Sequence, residues 1–457
     1  MTDTATLLDL LACPRCDRAP LEGSDTGWWC PGCKIPFPYI EGVPWLFAEP
    51  FAALEEWRGR TRFALERIEH EQRQLDAALA TPNLRASTVA RLTALKGANA
   101  DHAARLKALL APFTGNEFLG AYETYLALRT RLPTDQGLMT YYANIHRDWA
   151  WGDAENEASF AIVTRLLGEA PRGRTLVLGA GAGRLAYDLH MRGAADVTVA
   201  LDFNPLLVLL AHRIARGETI EFYEFPIAPR TAADQAILRR LAAPAPARPG
   251  LLFVLADAHR PPFRRGAFDT VVTPWLVDIL PEPFDALCAR INALLADGGR
   301  WLNFGSLSFH NADPALRYGL AECLDALAAN GLGHPEIAEE EIPYMSSPAS
   351  RHGRRERVVS WVAAKERAVK KVPRYVALPD WLVRGDAPVP LLDAFRTQAA
   401  TTHIYAFLMS LIDGRRSIKD MARLMAERRL MTRGEAEGAI RQFLIKMYDE
   451  GRRGVQY

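Results

Sequence analysis

The pattern of apolar and polar positions changes character several times along the chain. Residues 1–48 are aromatic and rich in turns. From 50 to 130 a long Ala/Leu/Arg/Glu/Gln run with few glycines predicts two or three helices. Residues 136–170 continue as helix until Pro171-Arg172-Gly173 breaks it. From Thr175 short apolar runs alternate with helical stretches. The strands expected are Thr175–Leu178, Val197–Leu201, Leu251–Leu255, Thr270–Thr273 and Trp301–Phe304, with a last one near Val358–Ala364. A Pro/Ala loop, Ala242–Gly250, separates the second from the third. Such alternation predicts a parallel sheet covered on both faces. After about residue 373 the pattern shifts to an extended Leu378–Val383, then three short helices: Thr402–Ile412, ended by Asp413-Gly414; one from Ile418, capped by Ser417; and one through Ala436–Leu444.

Composition narrows the class. The 457 residues suggest roughly two to four domains. Hydrophobic residues at 49% and charged residues at 24% are those of an ordinary soluble globular protein. A net charge of +1 gives no global reason to bind nucleic acid or an acidic membrane. There is no basic segment followed by an apolar one at the N-terminus, and no apolar run reaches the roughly 18–20 residues of a membrane span. The expected compartment is the cytoplasm, where thiols stay reduced unless they hold metal.

Four of the six cysteines lie in the first 33 residues. Cys13-Pro-Arg-Cys16 and Cys30-Pro-Gly-Cys33 are two C-x2-C knuckles, each placing two thiolates on one turn. Together they complete a tetrahedral four-sulfur shell with no open position, which is a structural zinc site. Unrelated buried cysteines or a disulfide pair are the alternatives. Leu8–Pro14 before the first knuckle and Tyr39–Leu46 after the second resemble the small zinc-ribbon activator subunit of RNA and protein methyltransferases, over residues 6–48. That resemblance implies a module that stabilises a catalytic partner, here in cis.

Leu178–Leu185 follows a strand and opens a helix. Glycines 179, 181 and 183 remove side chains where backbone can approach a ligand, and the helix N-terminus offers N–H groups to an anion. Asp202, about twenty residues on, ends the second strand, as an acid that binds ribose hydroxyls would. Asp257 follows the third. Either acid alone could be a helix cap or a solvated loop residue; in this order and spacing they point to a nucleotide site. The G-x-G-x-G spacing resembles that of methyltransferases, which use an acid at the Asp257 position for the adenine amino group. NAD(P) would want a different spacing.

Further segments resemble carnosine N-methyltransferase, over about residues 136–365: Tyr142–Trp149, Gly181–Tyr187, Trp275–Asp278 and Arg300–His310. That resemblance implies S-adenosylmethionine as cofactor, with Trp275 among the cofactor-binding residues and Arg184 on the cofactor's carboxylate. Asp278 would hold the substrate imidazole, with His310 and, more loosely, Tyr344 in the substrate pocket. An acid suits that role, since it accepts one ring N–H and leaves the other nitrogen's lone pair free. Otherwise Asp278 caps a helix beginning near Pro281, His310 is an ordinary loop residue, and Trp149 and Trp275 are core. Cys288 and Cys323 read as buried inert thiols. The chain departs from that family in carrying the ribbon and the tail, and in Asp202-Phe-Asn-Pro205 after the second strand.

Residues 376–450, around Phe407–Ala422, are similar to the small winged-helix protein that recognises precursor peptides in pyrroloquinoline quinone biosynthesis. That resemblance implies a leader peptide or protein partner added as a strand. A plain packing domain is the alternative. DNA binding through Arg415, Arg416 and Lys419 is opposed by the tail's acids and the neutral chain.

The expected architecture is therefore α/β: a zinc ribbon at 1–48, a helical region at 49–135, a Rossmann-like class I methyltransferase sheet at 136–368, and a small winged-helix-like domain at 374–457. The expected function is N-methylation of an imidazole in a histidine-containing peptide, protein or small molecule. Methylation of RNA or a large protein docked through the ribbon, and a non-catalytic scaffold, are the other readings.

Overall fold

The structure, a computed structural model, describes residues 3–24, 27–113, 136–168, 173–311, 313–384, 386 and 388–453. The chain divides into two compact units, 1–379 and 380–457. The ribbon, the helical region and the sheet expected as separate domains thus share one unit.

Helix α1 (Asp3–Leu10) leads into the ribbon strands β1 (Glu22–Ser24), β2 (Gly27–Cys30), β3 (Ile35–Ile40) and β4 (Val43–Pro44), which pair antiparallel in that order. Helices α2 (Pro50–Leu79) and α3 (Ala86–Leu109) follow. The rest of the helical region, 114–135, lies outside the described residues. Tyr142–His146 is a short helix, α4, continued by one π-helical turn, Arg147–Trp151, and then α5 (Asp153–Leu167).

The main sheet takes strands β5 (Arg174–Leu178), β6 (Val197–Asp202), β9 (Leu251–Leu255), β10 (Phe268–Pro274), β11 (Leu295–Gly305), β12 (Leu332–Tyr344) and β13 (Arg354–Lys365). Their order is β12-β13-β11-β10-β5-β6-β9. Strands β5, β6, β9, β10 and β11 run parallel, and β13 is antiparallel to both its neighbours, β11 and β12. The chain winds outward from β5 to β9, then returns to the other side of β5 as β10. A crevice opens at that reversal, at the carboxyl ends of β5 and β10. Helices α6 (Arg184–Met191), α7 (Pro205–Ala215), α8 (Phe284–Leu294) and α9 (Leu320–Ala329) complete the layers. Val177, Val199, Val254 and Val271 are fully buried, as strands covered on both faces must be.

Two elements escape the sequence pattern. A hairpin of β7 (Ile220–Glu224) and β8 (Ile237–Leu241) precedes the Pro/Ala loop. Strand β12, rich in glutamate, is an edge strand with alternating exposed positions, so it lacks a continuous apolar run.

The ribbon packs on the opposite edge. Past β4 the chain runs beside β9, where Leu46 N–H donates to the Leu255 carbonyl at 2.7 Å. Ala12 N–H donates to Pro262 and Arg264 N–H to Leu10, both at 2.9 Å. Leu10, Trp28, Phe37 and Leu46 join the same apolar core as Leu178, Leu201 and Val254. The β9 edge is thereby covered rather than open to pairing.

The second unit holds α10 (Asp380–Arg384), α11 (Asp393–Ser410), α12 (Ile418–Glu427) and α13 (Arg433–Arg453). Leu408, Met421, Met425, Ala436 and Ile440 form its core. Ser417 caps α12 in a capping box with Asp420. The expected extended Leu378–Val383 is helical from Asp380. No strand occurs among the described residues of this unit, so the wing, and a sheet edge for a peptide, have no counterpart there. None of the described helices is long and apolar enough to cross a membrane.

Candidate functional site

A cavity of about 440 Å³ opens at the crevice, within the usual range of small-molecule sites. It brings together Gly179, Gly181, Asp202, Asp257, Trp275, Asp278, His310 and Tyr344. Gly183 and Arg184 of the expected set do not line it.

At the glycine turn, Gly179, Gly181 and Gly183 all have positive φ, at 75°, 58° and 85°. A Cβ at Gly181 would meet nothing within 4 Å among the described residues. At Gly183 it would lie 3.1 Å from both Ala211 and Phe253. Gly183 therefore serves close packing of α6 on the neighbouring elements and not ligand approach. Asp202 receives Gly181 N–H and Asn204 N–H, both at 2.9 Å. No cation stands beside it among the described residues, and burial pushes its carboxyl up to about 6. A buried acid with only backbone donors is suited to further donors, such as two ribose hydroxyls.

Asp257 is engaged by His259, whose backbone N–H and Nδ1 lie 2.9 and 2.8 Å from Oδ1. Burial opposes charge on both, but their mutual attraction prevails. The carboxyl is held below its usual range and the imidazole above its own. The His259 ring stacks on Tyr375 at 4.0 Å, and its Nε2 has no hydrogen-bond partner among the described residues. His259 lines the cavity with Asp257.

Arg184 corrects a second expectation. Its guanidinium meets Asp188 at 2.9 Å, Asp153 at 3.4 Å and the Asp148 carbonyl at 2.7 Å, and lies over the Trp149 ring. It is committed to the protein. Arg147 and Arg354 line the cavity wall instead, and Arg147 pairs with Asp148 at 2.7 Å and Glu155 at 3.3 Å. Trp149 is core, its Nε1–H bonded to the Ala182 carbonyl.

At the other end, Asp278 is nearly buried and caps no helix, since α8 begins at Phe284 with Pro283 as its cap residue. Its Oδ2 accepts from Ser306 Oγ–H at 2.7 Å and Ser308 N–H at 2.8 Å. Its Oδ1 has no hydrogen bond among the described residues. His310, exposed at the rim, lies 2.9 Å from Ser308 Oγ. Trp275 lines the wall in the left-handed region, φ 53°, an uncommon conformation for a bulky side chain. Its backbone fits because a Cβ at Gly305 would come within 3.0 Å of it. Tyr344 stands 4.6 Å from the Trp275 ring with Arg354 over its face, and burial raises its phenol.

Sequence reading passed over Ser306, Ser308, Arg147, Glu155 and His259. Ser306 and Ser308 lie inside the Arg300–His310 resemblance, and no local pattern marks them. Among the described residues seven carboxylates line the cavity (Asp148, Glu155, Asp188, Asp202, Asp257, Asp278 and Glu356), with Arg147 and Arg354 on the wall and Arg184 and His259 paired to Asp188 and Asp257. Such a lining favours cationic or neutral ligands over polyanions.

The four knuckle cysteines converge in the ribbon, with all sulfurs within 4.8 Å of one another. Cys13–Cys33, Cys16–Cys30 and Cys16–Cys33 are 3.4, 3.6 and 3.5 Å apart. Tetrahedral sulfurs at about 2.3 Å from zinc stand about 3.8 Å apart, so the donor set fits that ion and no disulfide is formed. Cys288 and Cys323 are buried, as expected.

No family model matches the chain, and no curated protein matches it. Among solved structures, the chain is similar to the N-methyltransferase NodS from Bradyrhizobium japonicum, in complex with S-adenosyl-L-homocysteine, at 14% identity over 50% of this chain and 99% of that one, TM-score 0.31. It is also similar to Haemonchus contortus phosphoethanolamine N-methyltransferase 2, at 13% identity over 55% and 61%, TM-score 0.33. A third match is a chain from the complex of the Haloferax volcanii Trm112 methyltransferase activator, at 15% identity over 50% and 96%, TM-score 0.32.

Proposed function

We propose that this chain is an S-adenosylmethionine-dependent methyltransferase whose acceptor is an imidazole nitrogen of a histidine-containing peptide, protein or small molecule. One observation carries the reading. A single cavity at the reversal of the sheet joins Asp202, a buried acid suited to hydroxyl donors, to Asp278, an acid with one oxygen fixed and the other free.

S-adenosylmethionine, when bound, supplies an electrophilic methyl group on a sulfonium. The chain's residues do the rest. Gly179 and Gly181 keep the turn clear, Asp202 receives the ribose hydroxyls, and Asp257 with His259 frames the base. Ser306 Oγ–H and Ser308 N–H aim Asp278 so that its free oxygen accepts a ring N–H. The ring's other nitrogen is then unprotonated, and the carboxylate stabilises the positive charge that develops on alkylation. Trp275 and Tyr344 wall the ring in, which contributes alignment. The carboxylate-lined cavity argues against a phosphate-rich acceptor at the reacting centre. The ribbon, holding zinc, braces the β9 edge.

Calorimetric titration with S-adenosylhomocysteine should give one site per chain, and absence of binding sinks the enzyme reading. A mass-spectrometric screen of histidine peptides and imidazoles should then find a singly methylated product. Asp278→Ala should cut that turnover by about 10²–10³-fold with cofactor affinity kept. Turnover retained within tenfold refutes the imidazole assignment.

A further inference from the structure

The loop after β9 carries Asp257 and His259, and two segments distant in sequence hold it. The ribbon takes its far end, where Ala12 N–H donates to Pro262 and Arg264 N–H to Leu10. The other is a strap, the segment 366–375 that follows β13. Glu366 N–H donates to the Gly331 carbonyl at 3.0 Å, and Asn292 Nδ2–H to the Arg367 carbonyl at 2.9 Å. Val369 N–H donates to Asn292 Oδ1 at 3.1 Å, and the Arg265 guanidinium to the Val369 carbonyl at 2.7 Å. The strap then reaches the loop itself. Arg260 donates to the Tyr375 carbonyl at 2.9 Å. The Tyr375 ring lies on the His259 ring, with centroids 4.0 Å apart and planes 21° from parallel.

His259 and Asp257 divide the work. The side chain of His259 is 2% exposed and that of Asp257 14%, so the carboxylate, not the imidazole, is the group that meets a ligand in the cavity. Nδ1 of His259 faces Asp257 Oδ1, an acceptor, and therefore carries a hydrogen. The His259 backbone N–H goes to the same oxygen. Asp257 Oδ2 has no hydrogen bond among the described residues. Two donors on one oxygen fix the rotation of the carboxylate and leave the other oxygen a bare acceptor. The imidazole keeps that aim only while its own ring is held. Its Nε2 has no partner among the described residues, so the stack on Tyr375 supplies the hold. A bare carboxylate oxygen attracts an amino group and repels a carbonyl.

Resting on the methyltransferase reading above, we infer that His259, clamped by Tyr375, is a positioning residue for the cofactor's nucleobase. It aims Asp257 at the exocyclic amino group and so makes the site selective for adenine over hypoxanthine. The strap is thereby part of the cofactor site, although none of its residues lines the cavity.

The test is calorimetric, on the full-length protein, with S-adenosylhomocysteine and S-inosylhomocysteine. The second ligand carries a carbonyl where the first has the amino group. The ratio of the two affinities reads the aim of Asp257, whereas a residue that only supports the fold would weaken both ligands alike. The parent protein should bind S-adenosylhomocysteine at least about tenfold tighter than the inosine analogue. His259→Phe keeps a ring for Tyr375 but removes the Nδ1 donor, and should bring the two affinities within about threefold of each other. His259→Asn offers an amide donor near the Nδ1 position and should return the ratio to within about threefold of the parent's. Tyr375→Leu keeps apolar bulk and the backbone contact to Arg260 but removes the stack, and should lower the ratio at least about threefold. Its position is half-buried, so it gives the same reading if His259→Phe does not fold. A parent ratio kept in His259→Phe or in Tyr375→Leu, or not restored by His259→Asn, overturns the proposal. If the parent binds both ligands equally, the proposal falls and the methyltransferase reading stands. If the parent binds neither, both fall.

Discussion

Two neighbouring glycines should fail in opposite ways. Gly181→Ala and Gly183→Ala both force alanine into left-handed backbone, φ 58° and 85°, at a cost of about 1–2 kcal/mol each. The surroundings then separate them. The new methyl at 183 meets Ala211 and Phe253 at 3.1 Å, tighter than ordinary carbon contact, within a closely packed interior. Overpacking of that sort adds about 1–3 kcal/mol. Gly183→Ala should therefore lose about 2–5 kcal/mol of stability, while folded protein keeps its affinity for S-adenosylhomocysteine within about threefold. The methyl at 181 meets no atom of the described residues within 4 Å, on the wall of the cavity. Gly181→Ala should lose only about 1–2 kcal/mol of stability, with affinity falling about ten- to hundredfold. Urea denaturation gives the stabilities, and calorimetry at low temperature gives the affinities. A Gly181→Ala protein that binds like the parent, or a Gly183→Ala protein that is stable but does not bind, refutes the division between a ligand-facing and a packing glycine.

Asp202 should make both stability and binding depend on pH near 6. Its carboxyl is raised from 3.8 to about 6, so the unligated fold loses about 3 kcal/mol as pH rises from below 4 through 6. Hydroxyl donors favour the ionised form. S-adenosylhomocysteine should thus bind with proton release near pH 6, with affinity flat above pH 7 and weakening up to tenfold per unit below 6; calorimetry in buffers of different ionisation enthalpy checks this, and a flat profile from 5 to 8 refutes it. Metal analysis should find one zinc per chain. Cys30→Ser should remove it and lower the thermal midpoint of the first unit by at least about 5 °C, because the ribbon's backbone covers β9; an unchanged midpoint with zinc lost would show the site to be dispensable.

Much of the scaffold was legible because its signals are local. The strands at Val197, Leu251 and Trp301 announce themselves as apolar runs, since parallel strands are buried on both faces. The C-x2-C pairs and the glycine turn are fixed by chain geometry over a few residues. Strand β12 and the β7–β8 hairpin were not legible, because strands open to solvent owe no continuous apolar run. Leu378–Val383 reads as extended from Pro379, yet the helix begins immediately after that proline.

For the site, sequence alone determined which acids and glycines could meet: Asp202, Asp257 and Asp278 each end or follow a strand, and a parallel sheet brings strand ends to one edge. Only the tertiary structure decided what each group faces. Asp188 and Asp153 draw Arg184 away and leave Arg147 at the wall. Phe253 and Ala211 claim Gly183 for packing. Ser306 and Ser308 fix one oxygen of Asp278. These outcomes depend on contacts between residues distant in sequence, and no local period or spacing encodes them.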